Sequence, residues 1–146
     1  MNLEDWVGER PDRITPAQET VQRLLEGAAR HVADAKVAVI SPETRFVSAY
    51  TAIRMLADIG LHANGYRVRT SRPGHHIVAI QALSATLGVD QRVVDRLDAL
   101  RKLRNATEYS GDIIPESAVK ECIRQAEALR QITLAWLRSK RRALIR

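Results

Sequence analysis

Apolar residues recur at alternating spacings of three and four along most of the chain, and polar clusters between them carry start and stop signals. "TPAQ" places Thr15 as a cap, Pro16 at the first helical position and Gln18 where a capping box wants it. A helix is expected from there to about Lys36, with Val21, Leu24, Leu25, Ala28 and Val32 inward. "SPE" repeats the start signal with Ser41 and Pro42. The second helix turns Phe46, Ala49, Tyr50, Ile53, Leu56, Ala57 and Leu61 inward and stops at Asn64-Gly65. "GYRVRTSRPG", with two glycines, a proline and three arginines, reads as a loop. A third helix runs from about Gly74 to Leu87, with Ile77, Ile80, Leu83 and Leu87 inward, and Gly88 stops it. Asp90 caps a fourth that reaches Tyr109 or Ser110, with Gly111 as terminator. The last helix carries Val119, Cys122, Ile123, Ala126, Leu129, Thr133, Trp136 and Leu137 on one stripe.

Five helical periods with short connections predict an all-α fold, an antiparallel up-down bundle of about five helices. No strand-type alternation is sustained. The organisation expected is an N-terminal arm at 1–14, a bundle at 15–138 and a basic helix end at 139–146. Trp6, in the arm, is expected to dock on the bundle or on a partner. No apolar run approaches the ~18 residues needed to span a membrane. The polar, acidic start is not a secretory signal, so a cytoplasmic location is the default expectation. The single cysteine, Cys122, excludes an internal disulfide framework and a cysteine zinc site.

Charge sharpens the picture. The net charge is +6, but "RSKRRALIR", residues 138–146, holds five cations and no acid, so the body is nearly neutral. The tail can touch RNA, DNA or an acidic partner; it can equally be a solvated, fraying helix end, where cations are favourable anyway. Tyr66, Arg67, Arg69 and Arg72 form a basic loop that can hold phosphates or serve as an exposed connector. His75 and His76 are adjacent, so on a helix they point apart, and the i, i+4 metal-ligand spacing is absent; no metal site or cofactor is expected. There is no phosphate-binding glycine loop and no nucleophile elbow.

The fourth helix raises the sharpest question. With Leu100 at zero and 100° per residue, Val93, Leu97, Leu103 and Thr107 fall at about 20°, 60°, 300° and 340°, forming the apolar face. Arg104 falls at about 40°, inside that face, with Arg101 and Glu108 beside it at about 100° and 80°. A guanidinium does not lose its proton, and burying it unpaired is costly. Pairing with Glu108 accounts for a tolerated arginine. It accounts less well for Asn105, a weak helix former, and for the polar Thr107 on the inner face, which together suggest a polar seam facing a groove or a second subunit.

"LRKLRNATEYSGD", the following "IPESAVKECIRQAEALRQITLAWL" and the earlier "AYTAIRMLADIGLHANGYRVRTSRPGHHIVAIQAL" resemble the HEPN domain superfamily, over roughly residues 16–138. The resemblance implies a small helical bundle that dimerises and, in many members, a metal-independent endoribonuclease of toxin–antitoxin and defence systems. The family's hallmark is an arginine, commonly followed by a polar residue, then a short spacer and a histidine. Two copies of it meet across the dimer cleft and engage RNA. Arg104 and Asn105 match its first half. A four-residue spacer places the histidine at position 109, where Tyr109 stands, and no histidine follows His76. A tyrosine with a pKa near ~10 does not exchange protons readily at neutral pH.

The expectation is therefore a catalytically degenerate HEPN-like module that binds RNA, a nucleotide or a partner within a toxin–antitoxin or stress system. It would be homodimeric, with an antitoxin or nucleotidyltransferase as further partners. The alternatives are an active endoribonuclease using Arg104, Asn105 and Tyr109, and a helical interaction protein with no nucleic-acid role. Candidate binding residues are Arg101, Arg104 and Glu108 on the fourth helix and Arg67, Arg69 and Arg72 in the basic loop.

Overall fold

The computed structural model describes residues 12–67, 75–111 and 113–146, the side chains of His75, His76 and Tyr109 excepted. The chain is all-α. Six α-helices are described: α1 (Gln18–Ala35), α2 (Pro42–Ala63), α3 (His75–Gln81), α4 (Leu83–Leu87), α5 (Gln91–Ser110) and α6 (Glu116–Lys140). A two-residue ribbon pairs β1 (Asp12–Arg13) with β2 (Tyr66–Arg67), antiparallel. A short 3-10 turn, Arg142–Leu144, follows α6.

Hydrogen bonds at the helix ends fix the directions. Arg45, at the start of α2, donates to the carbonyl of Ala35, the last residue of α1, at 2.7 Å. At the other end, the Ala17 N–H before α1 donates to His62 near the end of α2, at 2.9 Å. The two helices are antiparallel. Arg45 also reaches Glu116 at the start of α6, at 3.0 Å to each carboxylate oxygen, and Arg141 after α6 donates to Ala63 O at 3.2 Å. So α6 runs parallel to α2. The end of α5 returns to the start of α2, where Arg104 lies over Tyr50. Long helices thus alternate up and down in chain order, with α2 in the middle.

The burial pattern of α2 reflects that position. Besides the expected inward stripe, Ala52, Ile59, Gly60 and Ala63 are buried, so the helix is covered on most sides. On α1, Val21, Leu25, Ala28, Val32 and Ala35 form a single buried stripe. On α6, Val119, Cys122, Ile123, Ala126, Leu129, Thr133 and Leu137 do the same. Cys122 sits under Phe46 O, and burial pushes its thiol up to about 12, so it behaves as a small hydrophobe.

Four details differ from the sequence expectation. The first helix starts at Gln18 with Ala17 as cap; Thr15 and Pro16 lie before it, because His62 supplies the partner for the Ala17 N–H and no capping box is needed. The third helical period splits at Ala82 into α3 and α4, which lets Ile80, Leu83 and Leu87 all turn to the core. Part of the arm and part of the basic loop form the β1–β2 ribbon; Trp6 lies outside the described residues. The basic tail is not a fraying helix end. The chain leaves α6 at Arg141, buries Leu144 and takes hydrogen bonds from Gln18 to Ala143 O and Ile145 O. Among the described residues, no helix is long and apolar enough to cross a membrane.

Candidate functional site

The face that α5 presents to the bundle explains its inward cation. Val94, Leu97 and Leu100 are its buried apolar residues, while Val93 and Leu103 are only partly buried. The buried face is therefore turned about 60° from the one centred on Leu100, at 100° per residue. That turn carries Arg101 and Arg104 under α2. Arg101 is nearly closed off, its Nε donating to Asp98 at 2.8 Å. This bond, ahead of other causes, holds the Asp98 carboxyl below its usual value. Lys102 adds a second cation to Asp98 at 3.5 Å.

Arg104 is more open, its side chain 25% exposed. Its guanidinium lies over the Tyr50 ring, 5.5 Å from the centroid, and Nη1 donates to Glu108 at 3.3 Å. Its Nε is buried and has no hydrogen-bond partner. Beside it, between the start of α2 and the end of α5, runs a groove of about 210 Å³. Phe46, Val47 and Ile114 give it apolar walls; Arg104, Glu108 and Glu43 give it polar edges, with Thr107 and Gly111 completing it. Val47 is 39% exposed and Ile113, next to Ile114, is 83% exposed, so apolar surface continues at this end of the bundle. Gly111 ends α5 at φ 71°, a left-handed turn that suits glycine and opens the end of the groove.

The expected site residues do not all meet. Arg104 and Glu108 share the groove. Arg101 is near them, close enough for its charge to act on Tyr50, but it is committed to Asp98. Asn105 is half-buried and does not line the groove. The Tyr109 side chain, Arg69 and Arg72 lie outside the described residues. Arg67 is on β2, beyond the far end of α2, about 20 Å or more from Tyr50 by helix rise, and it pairs with Asp12 at 3.9 Å. The basic loop therefore does not extend the site as far as it is described.

Sequence reasoning missed Tyr50, Asp98 and Glu43. Tyr50 stood among the core positions of α2, and the structure confirms its burial at 3% exposure. Its contact with Arg104 spans two helices, so no local spacing reveals it. Asp98 was legible: it sits three residues before Arg101 on one helical face. Burial raises the Tyr50 phenol above its ordinary value, against the opposing pull of Arg104, Arg101 and Arg54, so it stays protonated at neutral pH. His31 faces Ser48 across α1 and α2, and His62 stands at the far end of α2. Neither described histidine reaches Arg104. Among the described residues, no group of metal-ligating side chains converges.

Comparisons with protein-family models, with curated proteins and with solved structures find no match to this chain.

Proposed function

We propose that this protein is a HEPN-like binding module that acts without catalysis, and that the α2–α5 groove is where a protein surface docks, in the first instance a second copy of the chain. The observation that carries this is the character of the groove. Among the described residues that line it, Arg104 is the one cation; it pairs with Glu108, and Glu43 lines the same groove, over walls of Phe46, Val47 and Ile114. Two carboxylates repel a phosphate backbone, whereas an apolar floor with mixed charges at its rim suits a protein interface. In a two-fold contact each charge meets its complement, Arg104 of one copy opposite Glu43 of the other. The exposed Val47 and Ile113 then become covered.

Among the described residues that line the groove no histidine stands beside Arg104, and the nearest carboxylate, Glu108, is paired with it at 3.3 Å, which supports the non-catalytic reading. Ribonuclease chemistry moves a proton from the attacking hydroxyl and delivers one to the leaving oxygen. Arg104 stays protonated, Thr107 donates its hydroxyl to Leu103 O at 2.8 Å, and Tyr50 is a poor base. Sedimentation velocity tests the proposal: the wild type is expected as a dimer at tens of micromolar, and Val47→Asp as a folded monomer. A monomeric wild type, or a Val47→Asp dimer, overturns it.

A second reading has its own support in the buried, unpartnered Nε of Arg104 and the three arginines around Tyr50. These favour an anion, and so an RNA contact in the toxin–antitoxin or stress setting that the family resemblance suggests. On this reading RNA binds in a salt-sensitive way and Arg104→Ala weakens it, with no cleavage in the presence of a chelator.

A further inference from the structure

On the opposite side of the bundle, α1 and α6 enclose a second pocket, of about 200 Å³, closed at one end by the C-terminal segment. From α1 come Gln22, Leu25, Glu26 and Ala29; from α6 come Arg130, Leu134 and Arg138; Ile145 and Arg146 complete it. Arg130 and Arg138 are eight residues apart on one face of α6, about 12 Å along the axis. Leu134 lies between them on the same face and lines the pocket with them.

The charges in this pocket are unbalanced. Among the described residues, three arginines line it against one acid, Glu26, which accepts a hydrogen bond from Gln22 at 3.2 Å. Among the described residues no ion pair joins Arg130, Arg138 or Arg146 to a carboxylate. The Nε of Arg130 is buried with no hydrogen-bond partner. Favourable placement at a helix C-terminus accounts for Arg138, in the last turn of α6. It does not account for Arg130, near mid-helix, whose buried donor is left open at a cost. The wall that closes the pocket is itself held in place: Gln18 ties down Ala143 and Ile145, Arg141 is anchored on Ala63 O, and Leu144 is buried.

We propose that this pocket is an anion site for a phosphoryl dianion, either free phosphate or the phosphate of a small phosphomonoester. Guanidinium forks match phosphoryl oxygens with paired, charge-assisted hydrogen bonds. Among the described residues, none that lines the pocket is aromatic and so none offers a platform for a nucleobase; recognition rests on the phosphoryl group, with Leu25, Leu134 and Ile145 against any short carbon chain. The basic tail thus builds the wall of a small-ligand site. The inference is independent of the role proposed for the α2–α5 groove, which lies on different helix faces.

The test is calorimetric titration of the full chain at pH 8 with inorganic phosphate and with glycerol 2-phosphate, against potassium chloride at matched ionic strength. Binding on the order of 1 mM or tighter is expected. Stronger binding of glycerol 2-phosphate assigns the site to a phosphomonoester; equal or stronger binding of phosphate assigns it to the free ion. Arg138→Gln, at an exposed position that leaves the fold untouched, and Arg130→Met should each weaken binding about tenfold, the usual effect of losing charge-assisted hydrogen bonds. Glu26→Gln should tighten it by removing the one repulsive charge. The proposal is overturned if neither phosphate binds beyond the chloride control, if succinate binds as well as phosphate, or if Arg138→Gln and Arg130→Met bind as the wild type does.

Discussion

Replacing an arginine by methionine should have opposite consequences at positions 45 and 104, and the contrast separates a structural arginine from one kept for binding. Arg45 is buried and satisfied: Nε holds Ala35 O at 2.7 Å and Nη1 holds both oxygens of Glu116 at 3.0 Å. It ties the end of α1, the start of α2 and the start of α6 together. Arg45→Met leaves the Ala35 carbonyl without that donor and breaks the charge-assisted pair. Losing a buried hydrogen bond of this kind costs about 1–3 kcal/mol, and Glu116, nearly half exposed, recovers part of its loss from water. A net destabilisation of about 2–3 kcal/mol is expected. Arg104 is different. Its ion pair with Glu108 is at 3.3 Å and partly solvated, contributing at most about 1 kcal/mol, and its place over Tyr50 contributes a similar amount. Against these stands the buried, unpartnered Nε, a penalty of about 1–3 kcal/mol that methionine removes while filling much of the same space. At concentrations where the chain is monomeric, Arg104→Met should be neutral or stabilising by up to about 1 kcal/mol. Urea denaturation followed by circular dichroism measures both, and in a chain of this size each kcal/mol moves the melting temperature by roughly 2–4 °C. If Arg104→Met costs as much as Arg45→Met, Arg104 is a structural residue, and the reason given for its presence in the groove fails.

Three further outcomes follow from the geometry. A Cβ on Gly60 would stand 2.7 Å from Thr86 Oγ1 and 3.1 Å from Leu87 Cγ, both buried, so Gly60→Ala should lose about 1–2 kcal/mol despite its better helix propensity, read by the same denaturation. Burial holds His62 below its ordinary 6.5, with Arg23 adding to this, and the Ala17 N–H donates into its Nε2. The unfolded chain therefore takes up the proton first as pH falls, so stability is full above about pH 6.5 and declines below it until the folded His62 also titrates; His62→Gln should flatten that decline between pH 7 and 5, and an unchanged slope would contradict the assignment. Tyr50→Phe should change stability by less than about 1 kcal/mol, because the ring face under Arg104 remains, whereas Tyr50→Leu should cost about 2 kcal/mol or more; equal losses would show that the hydroxyl carries the contact.

What could be read from the sequence was the part encoded locally. Ser41-Pro42, Asp90, Gly88 and Gly111 start or stop helices where their chemistry says they should: Ser41 accepts from the Thr44 N–H, Asp90 from the Arg92 N–H, and both glycines adopt positive φ. Thr15 carries an equally good signal and is overridden, because His62, forty-five residues from Ala17, accepts the hydrogen bond at that helix start. The stripes of α1 and α6 were clear because each faces one side of the bundle. The face of α5 was misjudged because a wheel centred on Leu100 weighs Val93 and Leu103 as fully as Val94, and only packing against α2 and α3 decides among them. The same rotation placed Arg104 within reach of Tyr50. That contact, like the meeting of α1, α6 and Arg146 around the second pocket, joins segments whose proximity is a property of the fold and leaves no trace in spacing.

If the α2–α5 groove binds a second copy of the chain, Arg104 of one copy lies against Glu43 of the other, and charge reversal reads the pairing directly. Arg104→Glu makes both charges acidic and Glu43→Arg makes both basic, so each variant alone should be monomeric by sedimentation velocity while keeping its helical circular dichroism. Mixed in equal amounts, they should form a heterodimer, because each acidic pair then meets a basic one. A mixture that stays monomeric, with both variants folded and the wild type dimeric, would place the interface elsewhere on the bundle.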